Sequence, residues 1–197
     1  MKVLIIHNVN NEIRKQHFLE QFAVQGITDY EIIPAQMIPK MPRTGISRSH
    51  KKAVRRAIEL NLEEVIIMED DVLFCNKDSF RKFIQGRNHV PADWDMYLGG
   101  IYQGKLQPLE FGISKINGKL AGMHAYFLNK KFYDVVLNSE EHYNLDHYLS
   151  VLIGGNFYTC DPLQIIQKDG YSDNTKSVTQ YNTYLKTQYK LDNENRD

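Results

Sequence analysis

The sequence predicts one α/β domain with a mostly parallel central sheet flanked by helices. Unbroken runs of apolar, largely β-branched residues stand at Val3–Ile6 and Val65–Met68, as is typical of strands that are buried on both faces. Segments with helical spacing alternate with such runs, which gives the order strand, helix, strand, helix, strand. A chain of 197 residues can bury one sizeable core but barely two. We therefore expect a single domain.

The first elements follow from local signals. Val3–Ile6 is the first strand, and Asn10 or Asn11 can cap the helix after it, which Gly26 can end. Its apolar positions recur at helical spacing: Phe18, Leu19, Phe22 and Ala23. Tyr30–Ile33 is the second strand.

The next stretch, Ala35–Gly45, is predicted to be a surface loop because prolines interrupt any regular helix there. The prolines in it or directly before it are Pro34, Pro39 and Pro42. Ser47 and Ser49 can each cap a helix that runs to about Leu60. Its exposed face is predicted to carry four basic residues: Lys51, Lys52, Arg55 and Arg56.

The second half of the chain is less regular. Met96–Leu98 and His124–Leu128 are strand candidates, and Lys130–Leu137 and Leu145–Leu152 have the pattern of helices. Asn117-Gly118 is typical of a two-residue hairpin turn.

Composition excludes several classes of protein. The 24 basic and 24 acidic residues give a net charge of zero, so there is no global positive field to attract nucleic acid. No apolar stretch reaches the roughly 20 residues that cross a bilayer, so we expect at most peripheral membrane contact. Cys75 and Cys160 fit no metal-binding spacing. We expect a cytoplasmic protein, and the sequence carries no signal for an oligomeric state.

An acidic triplet, Glu69-Asp70-Asp71, follows the strand Val65–Met68 directly. Ligands of α/β sheets bind at the carboxyl ends of strands, and adjacent carboxylates require a compensating positive charge. In an extended segment Glu69 and Asp71 point to the same side, and hard oxygen ligands favour Mg²⁺ or Mn²⁺. The triplet therefore predicts a metal site, with a solvated loop of acidic residues as the alternative.

Six elements in register closely resemble glycosyltransferase family 25, which includes the lipooligosaccharide and collagen galactosyltransferases. These elements are Gly45–His50, Glu64–Val72, Trp94–Gly99, Ala121–Leu128, Asp146 with Tyr148-Leu149, and Gln167 with Ser172-Asp173. They span nearly the whole chain.

The resemblance implies a GT-A-like, Rossmann-like domain over residues 1–174, followed by a polar C-terminal segment over 175–197. It implies transfer of a hexose from a UDP-sugar, such as UDP-galactose or UDP-glucose, to a hydroxyl of a glycan such as lipopolysaccharide, with inversion. A Mn²⁺ or Mg²⁺ ion held by Glu69, Asp70 and Asp71 would neutralise the leaving diphosphate.

An inverting transfer also needs a general base for the acceptor hydroxyl. Asp146, which matches the family's late aspartate, and the adjacent His147 are the candidates. The alternatives are that Asp146 caps a helix and that His147 is a surface residue.

Seven residues are candidates for contact with the nucleotide sugar: Asn8, Arg14, Ser49, His50, His124, Gln167 and Asp173. Asn8 and Arg14 match polar positions of the family's first element, and Ser49-His50 stands at the predicted helix start, which favours anions. The alternative is that Ser49 only caps that helix. Asp173 could approach the metal or be a turn residue. Stacking of a tyrosine on a sugar stays open among Tyr102, Tyr126 and Tyr171.

Two other functions compete with a glycosyltransferase. One is a non-catalytic module that binds a glycan or a protein on the same fold. The other is a nucleotidyltransferase, which typically uses a glycine-rich, basic loop after the first strand, and no such loop follows Ile6.

Overall fold

The computed structural model of the protein describes residues 2–172 and 177–181. The strands in chain order are β1 (Val3–His7), β2 (Tyr30–Pro34), β3 (Glu64–Glu69), β4 (Val72–Phe74), β5 (Met96–Leu98), β6 (Gln103–Pro108), β7 (Ile113–Ala121), β8 (Ala125–Asn129), β9 (Phe157–Cys160), β10 (Ile165–Gln167), β11 (Gly170–Ser172) and β12 (Ser177–Thr179). The helices are α1 (Glu12–Gln25), α2 (Pro42–Glu59), α3 (Ser79–Arg87), α4 (Tyr133–Leu137) and α5 (Leu145–His147), with a 3₁₀ turn at Lys130–Phe132 and a π-helical stretch at Tyr148–Ile153.

The predicted α/β class is confirmed by a central sheet in the order β2-β1-β3-β8-β5-β9-β7-β6. Three pairings are parallel, namely β1 with β2, β1 with β3, and β5 with β9. The other four are antiparallel. Because only β8 and β7 oppose the rest of this sheet, six of its eight strands point the same way.

Both faces of this sheet are covered by helices. Alternation along β1 places Leu4 and Ile6 in one core and Val3 and Ile5 in the other. Helices α2, α4 and α5 pack on the first face, and α1 and α3 on the second. None of the described helices is long and apolar enough to cross a membrane.

The signals at both ends of α1 are confirmed. The side chain of Asn11 accepts a hydrogen bond from the backbone N–H of Arg14 at 3.1 Å, and Gly26 closes the helix with φ of 67°, a left-handed conformation that glycine adopts at little cost. Phe18 and Phe22 are buried as expected, whereas Ala23 is exposed.

The predicted start of α2 is wrong. The helix begins at Pro42, so Ser47 and Ser49 lie inside it and do not cap it. Proline is compatible with the first helical turn because the N–H groups of that turn have no partner within the helix. The predicted loop therefore ends at Met41.

Lys51 is buried, not exposed as predicted. Its ammonium group donates to the backbone carbonyl of Ser139 and lies 3.5 Å from Glu141. A long aliphatic stem allows lysine to cover apolar surface while its charged end finds polar partners.

The predicted hairpin turn at Asn117-Gly118 is also wrong. Both residues lie inside β7, where the pairing with β6 shifts register between Gln103 and Lys105. Gly118, with φ of 73°, provides the left-handed conformation that this irregular pairing requires. The predicted domain boundary between residues 174 and 175 lies outside the described residues.

The carboxyl ends of β1 and β3 meet at one edge of the sheet. Ile6 is paired with Glu69, and the backbone N–H of Glu69 donates to the carbonyl of His124 at 2.8 Å, just before β8 begins. Three stretches that are distant in sequence thus converge there.

Candidate functional site

A cavity of about 520 Å³ opens at this edge of the sheet. Its wall contains every predicted site residue within the described ranges: Asn8, Arg14, Ser49, His50, Glu69, Asp70, Asp71, His124, Asp146, His147 and Gln167. Asp173 and the side chain of Tyr171 lie outside the described residues. The fold therefore brings together residues from both halves of the chain.

Asp70 is buried and both of its oxygens have protein partners. Oδ1 accepts from Nη1 of Arg14 at 2.8 Å, and Oδ2 lies 2.8 Å from Nδ1 of His7 and accepts from the backbone N–H of Asn8 at 3.1 Å. Residues 70 and 71 form a turn, and Nη1 of Arg14 contacts the carboxylates of both, so the alternation expected of an extended segment does not hold there. The contacts of Asp70 anchor the loop after β1, including Asn8, to the end of β3.

Arg14 is held between two carboxylates. Its Nη1 lies 3.6 Å from Oδ2 of Asp71 in addition to the contact with Asp70. The guanidinium group therefore partly neutralises the acidic turn while it also lines the cavity.

Asp71 has one satisfied and one unsatisfied oxygen. Oδ2 accepts from the amide of Gln167 at 2.8 Å, whereas Oδ1 is buried without a hydrogen-bond partner among the described residues. Burial, followed by the charge of Glu69, raises the pKa of Asp71 to about 7. A buried carboxylate oxygen without a hydrogen-bond partner is suited to bind a cation.

Glu69 forms the end of a buried hydrogen-bonded chain. Nε2 of His50 lies 3.1 Å from Oε1 of Glu69, and Nδ1 of His50 lies 2.8 Å from the hydroxyl of Tyr126. Burial alone would raise the pKa of Glu69, but the hydrogen bond from His50 and the charges of nearby basic groups, Arg14 among them, together hold that pKa below its usual range.

Ser49 fixes the loop between β2 and α2. Its hydroxyl donates to the carbonyl of Gly45 at 2.7 Å and accepts from the backbone N–H of Gln36 at 2.8 Å. Ser49 was predicted to contact an anion from the start of the helix. It lies inside α2, which begins at Pro42, so it is not at the helix N-terminus.

His124 is buried in the wall of the cavity. Its Nε2 lies 3.0 Å from the carbonyl of Ile165, to which it can only donate, and its Nδ1 has no partner among the described residues. Burial lowers the pKa of His124, which favours the neutral ring, in which Nδ1 is an acceptor.

Asp146 is the second acidic centre of the cavity. Its Oδ2 accepts from the backbone N–H of Gly122 at 3.2 Å and its Oδ1 from that of His147 at 2.8 Å. Burial raises the pKa of Asp146, and the charge of Glu69 acts in the same direction. The residue that precedes α5 is Asn144, so Asp146 is not its cap.

Several residues of the wall were not among the predicted contacts. They lie in the loop between β2 and α2, in the first turn of α2, at the start of β6 and on β7: Gln36, Met37, Ile38, Pro39, Pro42, Arg43, Gln103 and Lys119. The position of that loop after a strand of the sheet is a signal that could have indicated it. Tyr102, one of the open stacking candidates, lies in the wall with its ring 5.2 Å from that of Tyr181.

The residues present fit a divalent cation at one point. Within the described ranges, no three His, Cys, Asp or Glu side chains are grouped as a metal cluster. Asp71 nevertheless presents a buried oxygen without a partner, and Oε2 of Glu69 makes no hydrogen bond to a described residue. Two carboxylates of this kind match the small protein ligand set of Mg²⁺, which completes its shell with phosphate oxygens and water.

Comparison with solved structures shows the fold. A glycosyltransferase involved in the glycosylation of the major capsid of PBCV-1 superposes with a TM-score of 0.56 at 11% identity, over 89% of this chain and 95% of that one. An apo UDP-glucose pyrophosphorylase gives 0.49 at 10% identity over 85% and 74%, and the UTP-bound enzyme of Acinetobacter baumannii gives 0.47 at 15% over 81% and 63%. No family model matches the sequence, and the search of curated proteins returns no match. The chain thus has the fold of the PBCV-1 glycosyltransferase, and membership of family 25 stays a prediction.

Proposed function

We propose that the protein is a glycosyltransferase that moves a hexose from a nucleotide sugar, such as UDP-galactose or UDP-glucose, to a hydroxyl of a glycan. The observation that carries this proposal is the convergence of the acidic residues Glu69, Asp71 and Asp146 on one cavity at the carboxyl edge of the sheet. The fold shared with a known glycosyltransferase supports it. Lipopolysaccharide is one example of such an acceptor, and the cytoplasm is the proposed compartment.

The donor would lie between the loop after β1 and the loop before α2. Asp70 holds the loop that carries Asn8, and Ser49 holds the opposite loop at Gln36. Both loops line the cavity. Two anchored walls leave less freedom to be lost when a nucleotide binds between them.

Asp71 and Glu69 would hold Mn²⁺ or Mg²⁺. When bound, the ion would neutralise charge on the departing diphosphate. Arg14, which already lies against Asp71, would limit the repulsion between this acidic turn and the phosphates.

Asp146 would act as the general base. The acceptor oxygen would attack the anomeric carbon while the bond from that carbon to the diphosphate breaks, and the hydroxyl proton would pass to the carboxylate of Asp146. Two backbone N–H groups hold this carboxylate in place, which favours one orientation toward the cavity.

The test is UDP release from a panel of UDP-sugars, with and without a glycan acceptor, in Mn²⁺ and in chelator. We expect turnover only with the metal, and Asp71→Asn should lower the rate by about a hundredfold or more because charge stabilisation is lost. Asp134→Asn, which changes an exposed carboxylate on α4, is the matched control.

An unchanged rate in Asp71→Asn would contradict the metal assignment. Binding of a glycan without release of UDP from any donor would favour the non-catalytic module instead.

A further inference from the structure

A hydrogen-bonded chain of three side chains, Tyr126–His50–Glu69, runs from the core into the wall of the cavity. His50 and Tyr126 are 2% and 0% exposed. Both ring nitrogens of His50 have protein partners, at 2.8 Å to Tyr126 and 3.1 Å to Glu69. His50 therefore has no free ring nitrogen with which to bind a substrate.

The two partners of His50 fix the protonation of its ring. The hydrogen bond of the Tyr126 hydroxyl to Nδ1 of His50 is its sole one within the described residues, and the carboxylate at the other ring nitrogen can only accept, so Nε2 is the nitrogen that donates. Nδ1 then accepts, and the ring proton lies on Nε2, where it is donated to Oε1 of Glu69. All three groups are satisfied by a single neutral tautomer of His50.

This arrangement leaves the carboxylate of Glu69 with two different oxygens. Oε1 is occupied by His50, while Oε2 makes no hydrogen bond to a described residue. The neighbouring unsatisfied atom of the same acidic turn is Oδ1 of Asp71. Fixing Oε1 restricts rotation of the carboxylate and so presets the direction of Oε2.

We infer that His50 is a positioning residue, which acts through Glu69 and is itself oriented by Tyr126, and that it prepares the Glu69–Asp71 pair for a divalent cation. The inference rests on the metal site of the proposed function. Hydrogen-bonded partners behind ligating carboxylates are known to change metal affinity by about 10- to 100-fold when they are removed.

The variants that test this are His50→Leu, which removes both hydrogen bonds, and His50→Gln, whose amide can accept from Tyr126 and donate to Glu69. Mn²⁺ binding to the full-length chain is measured by electron paramagnetic resonance, without any sugar substrate. We expect roughly 10- to 100-fold weaker binding for His50→Leu and recovery to within a few-fold of the wild type for His50→Gln. His142→Gln, at an exposed histidine, is the control and should bind like the wild type.

A second measurement does not depend on how well His50→Leu folds. Nitrogen-15 NMR of the imidazole should show the proton of His50 on Nε2 in the wild-type protein and a mixture of tautomers in Tyr126→Phe. That variant loses one hydroxyl and retains the aromatic ring.

Two results would overturn the inference: wild-type Mn²⁺ affinity in a folded His50→Leu protein, or a proton on Nδ1 of His50 in the wild type. If the wild type binds Mn²⁺ and shows the expected variant series but transfers no sugar, the inference stands and the proposed function fails. If the wild type transfers sugar and His50→Leu keeps full Mn²⁺ affinity, only the inference fails. If the wild type binds no Mn²⁺, the metal site and the inference fail together.

Discussion

Asp70 and Asp71 are identical neighbours with different chemistry. Asp70 is saturated by His7, Asn8 and Arg14, whereas Asp71 retains a buried oxygen without a described partner. Because charged groups are costly to bury unless they are paired, Asp70 stabilises the turn, whereas that oxygen of Asp71 is the basis of the proposed cation site. Their difference comes from the distant residues that reach each carboxylate, His7, Asn8 and Arg14 at Asp70 and Gln167 at Asp71, and not from residue type.

Asp146 is the proposed general base, and its carboxylate should be needed for the chemical step more than for donor binding. Asp146→Asn should lower kcat by roughly 10²- to 10⁴-fold, the usual contribution of a general base, and should leave KM for the donor little changed. The measurement is steady-state kinetics with varied donor and acceptor, and His147→Gln is the companion variant. A larger loss of kcat in His147→Gln than in Asp146→Asn would transfer the role of base to His147.

The pH dependence of the reaction follows from the surroundings of Asp146. Burial raises its pKa, the charge of Glu69 adds to this, and the N–H groups of His147 and Gly122 oppose it. A base acts when deprotonated, so kcat/KM should fall as the pH decreases, with a midpoint above the value of about 3.9 of an exposed aspartate. A midpoint at or below that value, in a profile measured from about pH 3 to 8, would contradict the role of Asp146.

At the scale of elements, the junction between the β2–α2 loop and α2 shapes one wall of the cavity. Gly45 lies in the first turn of α2, where a Cβ atom would collide with the backbone carbonyl oxygen of Gln36. Ser49 binds the same two residues through its hydroxyl. Gly45 and Ser49, which both belong to the element Gly45–His50, thus allow this loop to pack closely against the helix.

Gly45→Ala should therefore destabilise the protein despite the higher helix propensity of alanine. Propensity favours alanine by about 0.8–1.0 kcal/mol, while overpacking against backbone typically costs about 1–3 kcal/mol. We expect a net decrease in the free energy of unfolding and weaker nucleotide-sugar binding, measured by denaturant titration and calorimetry. Gly170→Ala, where no atom lies within 4 Å of the added Cβ, should be neutral; an equally stable Gly45→Ala protein would refute the packing argument.

At the scale of the whole molecule, the cavity is assembled from strand ends, helices and loops of both halves of the chain. A ligand that binds these walls in the native state, and not in the unfolded chain, must stabilise the entire domain. Global stability is consequently a readout of the site.

A UDP-sugar at a hundred times its Kd should add about 2.7 kcal/mol in the presence of Mn²⁺, which corresponds to a rise in Tm of roughly 5–10 °C for a domain of this size. The measurement is a thermal-shift screen of donors with Mn²⁺ or chelator. We expect the shift to need the metal and to disappear in Asp71→Asn. A donor-induced shift of the same size in chelator would contradict the proposed ion.

The sequence by itself determined the local features of this protein. The apolar runs at β1 and β3 and the caps of α1 depend on neighbouring residues only. The candidate site residues follow from the resemblance to a known family and from the tendency of ligands to bind at the carboxyl ends of strands. The tertiary structure decided what local patterns do not contain.

The tertiary structure placed the start of α2 at Pro42, where the loop between β2 and α2 packs through Gln36 against Gly45 and Ser49. It buried Lys51 against a carbonyl 88 residues away. It also gave Asp70 and Asp71 their opposite roles and joined His50 to Tyr126, since hydrogen-bond partners and desolvation depend on which distant segments the sheet brings to one edge. Those long-range contacts gather Glu69, Asp70, Asp71 and Asp146 around one cavity in a chain whose net charge is zero.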